Sequence, residues 1–399
     1  MVYAEVLGGF FVCLEWDVVK SYKSGKVMKN KKIAIFHNYM DNIGGAEYVD
    51  LVLARELNAD IYTTNISSEK IKKMGFSDVL PRIYSIGKIP VNAPYRQEMA
   101  YRRFRKLNVA KDFGRKYDMY FIGGDWAMSG ARLNKPNLWY VYSPIREIYD
   151  LYEYTRKNNV PFCLRFVFDL WVKYHHYMDK RNVKHVDKLV CISENVRGRV
   201  KKYLDRDSSV IYPPTETVKF KFKKGKRYWL SVNRLITHKR VDMQMKAFAK
   251  LPNERLIVVG CYEKSKHFQE YASYINKIKP SNVEIKSWVT DSELVELYSN
   301  CKGVICTSKD EDYGMSPVEG MASGKPVIAV NEGGYKETVV DGVTGKLINV
   351  DVASLVSAVK GVGKDVGKYK GACLKRAEEF DVNIFIAKIK EELRCHRKK

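Results

Sequence analysis

The residues best suited to chemistry lie in the segment Lys309-Asp-Glu-Asp-Tyr-Gly-Met-Ser-Pro-Val-Glu319. Two carboxylates, Glu311 and Glu319, are separated by seven residues. Glu311 falls in the loop after a strand-like run, and Glu319 on the first turns of the helix that follows. Gly314 and the amides of Met315 and Ser316 stand at that helix N-terminus, where free N–H groups and the helix dipole favour anions. Such a segment can hold a polyhydroxylated ligand twice, one carboxylate on each hydroxyl-bearing ring, with phosphates at the amides between. Two unrelated surface glutamates would need to coincide with everything around them.

Two further segments suit an anion. In Ser231-Val-Asn-Arg-Leu-Ile-Thr-His-Lys-Arg240, Arg234 and Lys239 follow a strand at one end, so a guanidinium fork and a point ammonium can share one diphosphate. Solvated basic residues have the same look in sequence. In Asn38-Tyr-Met-Asp-Asn-Ile-Gly-Gly-Ala-Glu47, Gly44 and Gly45 let the backbone approach an anion as a helix opens. A plain strand-to-helix turn fits that pattern too, and the missing third glycine argues against a dinucleotide fingerprint.

Other candidates carry less. Asp205-Arg-Asp207 and Asp310-Glu-Asp312 match an Asp-x-Asp metal pattern, but such triplets arise by chance, and Arg234 with Lys239 can take a metal's charge role; no metal is expected. His175, His176 and His185 have no carboxylate or cysteine cluster at ligand spacing and read as surface or packing residues. Asp125 and Trp126 follow a strand and are candidates for the acceptor side of a cleft, with core packing as the other reading. No Ser/His/Asp hydrolase elbow is visible.

These segments need elements to hold them. Strand-like runs at Ile33 to Asn38, Asp60 to Asn65, Val79 to Ile86, Met119 to Gly123, Leu138 to Ser143, Lys188 to Ser193 and Ser209 to Tyr212 alternate with amphipathic stretches. After Pro213-Pro214 and the basic piece Lys219 to Lys226 the rhythm restarts, with strands at Tyr228 to Asn233, Arg255 to Gly260, Val283 to Val289, Gly303 to Thr307, Pro326 to Val330 and Lys346 to Asn349. Helices are expected to begin near Lys239, Asp291, Pro317 and Asp351. The fold class is α/β: two Rossmann-like doubly wound domains facing a central cleft, with ligands at strand C-termini.

With 399 residues, 45% hydrophobic and 29% charged, the chain is long enough for two cores and is not disordered. Its 70 Lys+Arg against 46 Asp+Glu leave +24, which predicts an anionic partner. The eight cysteines form no CxxC pair and read as reduced thiols of a cytoplasmic protein. No run is long enough to span a membrane, Val6 to Leu14 lacks the basic start of an export signal, and Met28 is a candidate true start behind an extension at 1–27.

Two stretches stand out. Tyr95 to Arg115 is basic, with Ala100, Phe104 and Leu107 on one helical face and Arg102 and Arg105 on the other, fitting a membrane-surface helix or a solvated one. Trp139 to Tyr177 is dense in aromatics, mostly core, while Tyr149, Tyr152 and Tyr154 are candidates to stack on a sugar or lipid acceptor.

Taken together, Gly44-Gly45-Ala46-Glu47, Arg234 with Lys239, the two glutamates, Glu332-Gly-Gly-Tyr-Lys-Glu-Thr-Val339 and Gly342-Val-Thr-Gly345 resemble the retaining glycosyltransferases of family 4, which have the GT-B architecture. The likeness runs from about Ile33 to the C-terminus. Within the family, Val141-Tyr-Ser-Pro-Ile-Arg146, Val210-Ile-Tyr-Pro-Pro-Thr215 and the Glu311–Glu319 segment resemble mannosyltransferases that build surface polysaccharides from GDP-mannose.

The resemblance implies an acceptor domain at 28–222, completed by a C-terminal helix at 380–399, and a donor domain at 223–379. Glu319 would bind the nucleotide ribose, and Arg234 and Lys239 the diphosphate and departing charge. Glu311 and the amides of Gly314, Met315 and Ser316 would bind the donor sugar, with Gly44 and Gly45 closing on the phosphates and the backbone near Val289 reading the base edge. Tyr142 and Arg146 join Asp125 and Trp126 as acceptor-side candidates. Relatives often carry a histidine where Tyr142 stands; a tyrosine can donate a hydrogen bond there but is no cation near neutral pH.

The implied partners are a nucleotide sugar, GDP-mannose or a UDP-sugar, and a lipid-linked or glycan acceptor, with no cofactor. The charge adds an anionic membrane surface, so peripheral attachment at the inner face of the cell membrane is expected. A UDP-sugar-dependent transferase, an epimerase on the same architecture and a nucleic-acid-binding protein remain as alternatives; no recognition module supports the last.

Overall fold

The computed structural model describes residues 31–224, 228–260, 266–287 and 289–394. The extension expected at 1–27, Met28 and the end of the basic tail lie outside the described residues.

The strands are short runs of aliphatic and aromatic residues. Ile33–Phe36, Met119–Ile122, Leu256–Val259 and Val327–Val330 are buried along their whole length, as parallel strands covered by helices on both faces must be. The first half forms a seven-stranded sheet in the order β3-β2-β1-β4-β5-β6-β7. Its strands are β1 Ile33–Phe36, β2 Asp60–Thr63, β3 Ile83–Ser85, β4 Met119–Ile122, β5 Asn137–Val141, β6 Lys188–Cys191 and β7 Ser209–Val210. The second half forms a six-stranded sheet, β10-β9-β8-β11-β12-β13, from β8 Trp229–Val232, β9 Leu256–Val259, β10 Val283–Lys286, β11 Val304–Cys306, β12 Val327–Val330 and β13 Gly345–Ile348. Every pairing in both sheets is parallel. Chain order reverses between β1 and β4 and again between β8 and β11, which makes two switch points.

Some boundaries differ from the sequence reading for local reasons. Only Ile83–Ser85 of Val79 to Ile86 is strand, because Leu80–Arg82 is a 3-10 turn built on Pro81, and proline has no amide for the ladder. The strand from Val283 stops at Lys286, since Thr290 and Glu293 close a capping box that starts the helix Asp291–Asn300. Lys239 sits in the 3-10 turn Thr237–Lys239, and the helix begins at Val241, after Arg240 at φ +51°.

The last helix, Val382–Arg394, returns to the first sheet. Ile386, Ile389 and Leu393 are buried, with Phe385 in place of the expected Ile384, which is exposed. Phe385 meets Tyr140 edge-on at 5.8 Å, Ser209 donates to Glu392 at 2.9 Å, and Lys31 donates to the Leu393 carbonyl at 2.6 Å.

Ion pairs lock the halves together. Arg199, almost out of solvent, pairs with Asp310 at 2.8 Å and with Asp312. Glu337 accepts from the amides of Glu194 and Asn195 at 2.7 and 2.8 Å, so a carboxylate of the second half caps the helix Glu194–Leu204 of the first. Among the described residues no helix is long and apolar enough to cross a membrane.

Candidate active site

Both switch points open into one cleft. A cavity of about 480 Å³ is lined by residues that follow β1 (His37, Asn38), β4 (Gly123, Gly124, Asp125), β5 (Tyr142, Arg146), β8 (Arg234, His238, Lys239) and β11 (Lys309, Glu311, Asp312). Six of the residues singled out in the sequence, Asp125, Tyr142, Arg146, Arg234, Lys239 and Glu311, therefore share one wall system.

At its centre the Lys239 ammonium lies 2.5 Å from Glu311. Burial alone would raise the Glu311 carboxyl, but the charge and hydrogen bond of Lys239 override it and hold it at about 2. The loop that carries Glu311 is fixed from both sides. Asp310 adopts φ +44°, Asn195 donates to the Glu311 carbonyl at 3.0 Å, and Gly334 N–H donates to the same carbonyl at 2.8 Å. Gly333 is required here, because a Cβ would stand 2.4 Å from the Glu311 carbonyl oxygen. Glu332 in turn accepts from Arg240 at 2.7 Å. The Glu332–Val339 motif is thus the scaffold under Glu311.

Gly314 caps the helix Met315–Ala322 at φ +87°, with the Tyr335 ring 2.5 Å from where a Cβ would be. On that helix Glu319 accepts from the Tyr298 hydroxyl at 2.5 Å. Burial raises its carboxyl, against the pull of that hydrogen bond. Ser316 donates to the Val232 carbonyl at 3.2 Å. A Cβ on Gly45 would lie 3.0 Å from Met315 Sδ, so the glycine turn of the first half packs against the Met315 side chain of the second. Val289 is half-buried against the core, in the loop after β10.

The first half adds a charged cluster that the sequence reading passed over. His37 Nδ1 lies 2.7 Å from Asp50 Oδ2, and Nε2 lies 3.9 Å from Glu47. Burial works against its cation, but Asp50 and Glu47 win and push His37 up to about 10. Tyr142 donates to the other oxygen of Asp50 at 2.7 Å. A cation therefore stands one carboxylate away from Tyr142. His238 is the opposite case: burial first, then Lys239 and Arg234, depress it to about 3, so its ring is neutral. His37 gave no sequence signal beyond its place at the end of β1, while Asn38 opened the segment that runs to Glu47.

Gly44, Gly45, Gly314, Met315, Ser316, Glu319 and Val289 are not among the residues that line the cavity, and several acceptor-side candidates are engaged elsewhere. Trp126 departs from an acceptor-facing position: it is buried, 5.9 Å from Trp171 and 5.1 Å from His175. Arg146 touches the cavity but is bound to Asp150 at 2.6 Å and Asp312 at 3.3 Å. Tyr149 stacks between His176 and Tyr203 at 4.6 and 4.7 Å, and Tyr152 on Phe168; only Tyr154 of the three reaches the cavity. Asp125 accepts from Asn38 at 2.6 Å. Asp310 and Asp312 are taken up by Arg199, and among the described residues no group of three or more His, Cys, Asp or Glu is placed to hold a metal.

Two doubly wound parallel domains around such a cleft are the GT-B architecture. The chain superposes on the Anabaena protein HepE, solved in complex with UDP and glucose, with a TM-score of 0.71 and 16% identity over 91% of this chain and 99% of that one. Residues 214–377 match the family model for glycosyl transferases group 1. That match covers about two-fifths of the chain, and the likeness to glycosyltransferases lies there and in the fold. Among curated relatives, an uncharacterized glycosyltransferase of Methanocaldococcus jannaschii is 28% identical over 43% of this chain and 48% of its own. The alpha-1,3/1,6-mannosyltransferase of Candida glabrata is 27% identical over 58% of this chain and 64% of its own. The chain spans about half the length of the curated relatives it matches.

Proposed function

We propose that the chain is a retaining hexosyltransferase that moves mannose from GDP-mannose to a lipid-linked or polysaccharide acceptor at the cytoplasmic face of a membrane, without a metal. The observation that carries this reading is the Lys239–Glu311 pair beside Arg234 at the β8–β11 switch point. Breaking the bond between the sugar and the diphosphate leaves negative charge on phosphate, and preorganised cations there stabilise the transition state more than the ground state. The departing phosphate accepts the acceptor's proton, and the protein supplies position and charge. Glu311, kept ionised, accepts from sugar hydroxyls, and Glu319 from the ribose. His37 takes the place of the histidine that relatives carry at the position of Tyr142.

Mannose is supported by the mannosyltransferase relative. A second reading keeps the reaction and changes the donor to a UDP-sugar, because the Anabaena neighbour was solved with UDP and glucose. Release of nucleotide diphosphate from a panel of sugar nucleotides tests both. GDP release from GDP-mannose, faster when acceptor is added, is the expected outcome. Release only from UDP-sugars changes the donor, and sugar interconversion without release would make the chain an epimerase.

A further inference from the structure

The helix Arg165–Asn182 is apolar on two sides. One side packs inward through Val172, His175 and Met178. The other carries Phe166, Val167, Leu170, Tyr174 and Tyr177, each between 43% and 71% exposed. At 3.6 residues per turn these five fall within an arc of about 100°. Phe162, in the turn just before the helix, is 84% exposed. A soluble surface seldom leaves so continuous an apolar stripe open without a partner for it.

Beside the stripe is a second feature. Tyr101, Arg102, Arg105, Lys106, Arg132 and Tyr174 line a cavity of about 360 Å³ between this helix and the helix Tyr95–Lys106. Tyr174 belongs to both the stripe and the cavity. The nearby acid, Glu98, is already engaged by Arg102 at 2.6 Å and by His175 at 3.0 Å, so the cavity presents cations. Arg181 stands within the same arc of the helix Arg165–Asn182 and Lys173 at its edge, both exposed.

We propose that this face docks on an anionic phospholipid bilayer, with lipid phosphate entering the cavity and the stripe entering the acyl boundary. An apolar stripe rimmed by Lys and Arg is the pattern of a helix lying in a membrane interface, and the charge selects anionic lipid. The face also adjoins the cleft. Tyr154, Thr155 and Asn159 line the cleft, and Phe162 follows three residues after Asn159. A lipid-linked acceptor would thus reach the cleft mouth from the surface on which the protein lies. This deepens the reading of a membrane-side transferase and rests on it, yet vesicle binding needs no donor.

The test is flotation of the full chain with mixed phosphatidylcholine–phosphatidylglycerol vesicles and with phosphatidylcholine alone, near physiological salt. The protein floats with the anionic vesicles only. Phe166→Ser with Leu170→Ser, and Arg102→Gln with Arg105→Gln, each weaken binding by about tenfold or more. Lys277→Gln with Lys364→Gln, which removes the same charge from the other half, leaves binding unchanged. All three variants keep the wild-type melting temperature and donor-induced shift. No flotation of wild type, full binding by the Phe166/Leu170 variant, or an equal loss in the control pair would overturn the proposal. A chain that floats but turns over no sugar nucleotide keeps the surface and removes the transferase; one that turns over a soluble acceptor but never floats does the reverse.

Discussion

The Lys239 ammonium and the Glu311 carboxylate meet at 2.5 Å inside the cleft, with side chains 14% and 19% exposed. Lys239 is the main electrostatic partner of Glu311, across two loops that follow different strands. The pair therefore has a stability signature as well as a chemical one.

Glu311 ionises at about 2 in the fold against 4.5 when free. The unfolded chain then binds more protons than the folded one between those values, so this stabilisation is complete above about pH 4.5 and is lost as pH falls toward 2. Lys239→Ala should cost about 3 kcal/mol at pH 7, since it strands a buried carboxylate, and should flatten that acid limb. Guanidinium unfolding at pH 7 and pH 3 measures both. Turnover should fall by about 10²-fold or more; an unchanged rate would remove Lys239 from the diphosphate.

His37 runs the other way. Its folded value near 10 lies above the free value of 6.5, so its contribution is complete below about pH 6.5 and is lost as pH rises toward 10. His37→Gln should remove that part of the alkaline slope and slow turnover. Equal slopes for wild type and variant would mean that Asp50 and Glu47 do not hold a cation.

Much of this was legible in the sequence, and the reasons are local. The strands are short aliphatic runs between turn signals, so their places along the chain and the restart after Pro213-Pro214 were readable, while their order in each sheet was not. Arg234, Lys239 and Glu311 follow strands directly, which put them at the sheet ends that build the cleft. His37 was hidden because its charge depends on Asp50, thirteen residues on in the next helix. Arg199 was hidden because its partners, Asp310 and Asp312, belong to the other half. Trp126 was misplaced because a tryptophan after a strand looks the same whether it turns to the cleft or to Trp171.

Glycines test the local geometry. Gly314→Ala combines φ +87° with a Cβ 2.5 Å from the Tyr335 ring, and should cost about 2 kcal/mol or more while weakening donor binding. Gly361, inside the helix Val352–Gly363, has nothing within 4 Å of its would-be Cβ. Gly361→Ala should stabilise by about 0.5–1 kcal/mol. Chemical denaturation of the two variants reads both signs.

Arg199→Ala should cost about 3 kcal/mol and split a single calorimetric transition into two, because it removes the buried guanidinium that pairs with both Asp310 and Asp312 at the contact between halves. Lys201→Ala, which loses only an exposed pair with Asp205, should shift stability by less than about 0.5 kcal/mol.

The most direct test of the account is thermal unfolding of the purified chain with GDP, GDP-mannose, UDP, UDP-glucose and RNA, because a ligand that binds only the folded state raises the melting temperature. The account predicts a rise with GDP and GDP-mannose that Glu319→Ala and Lys239→Ala abolish. No rise with any nucleotide, or a rise with RNA alone, would contradict it.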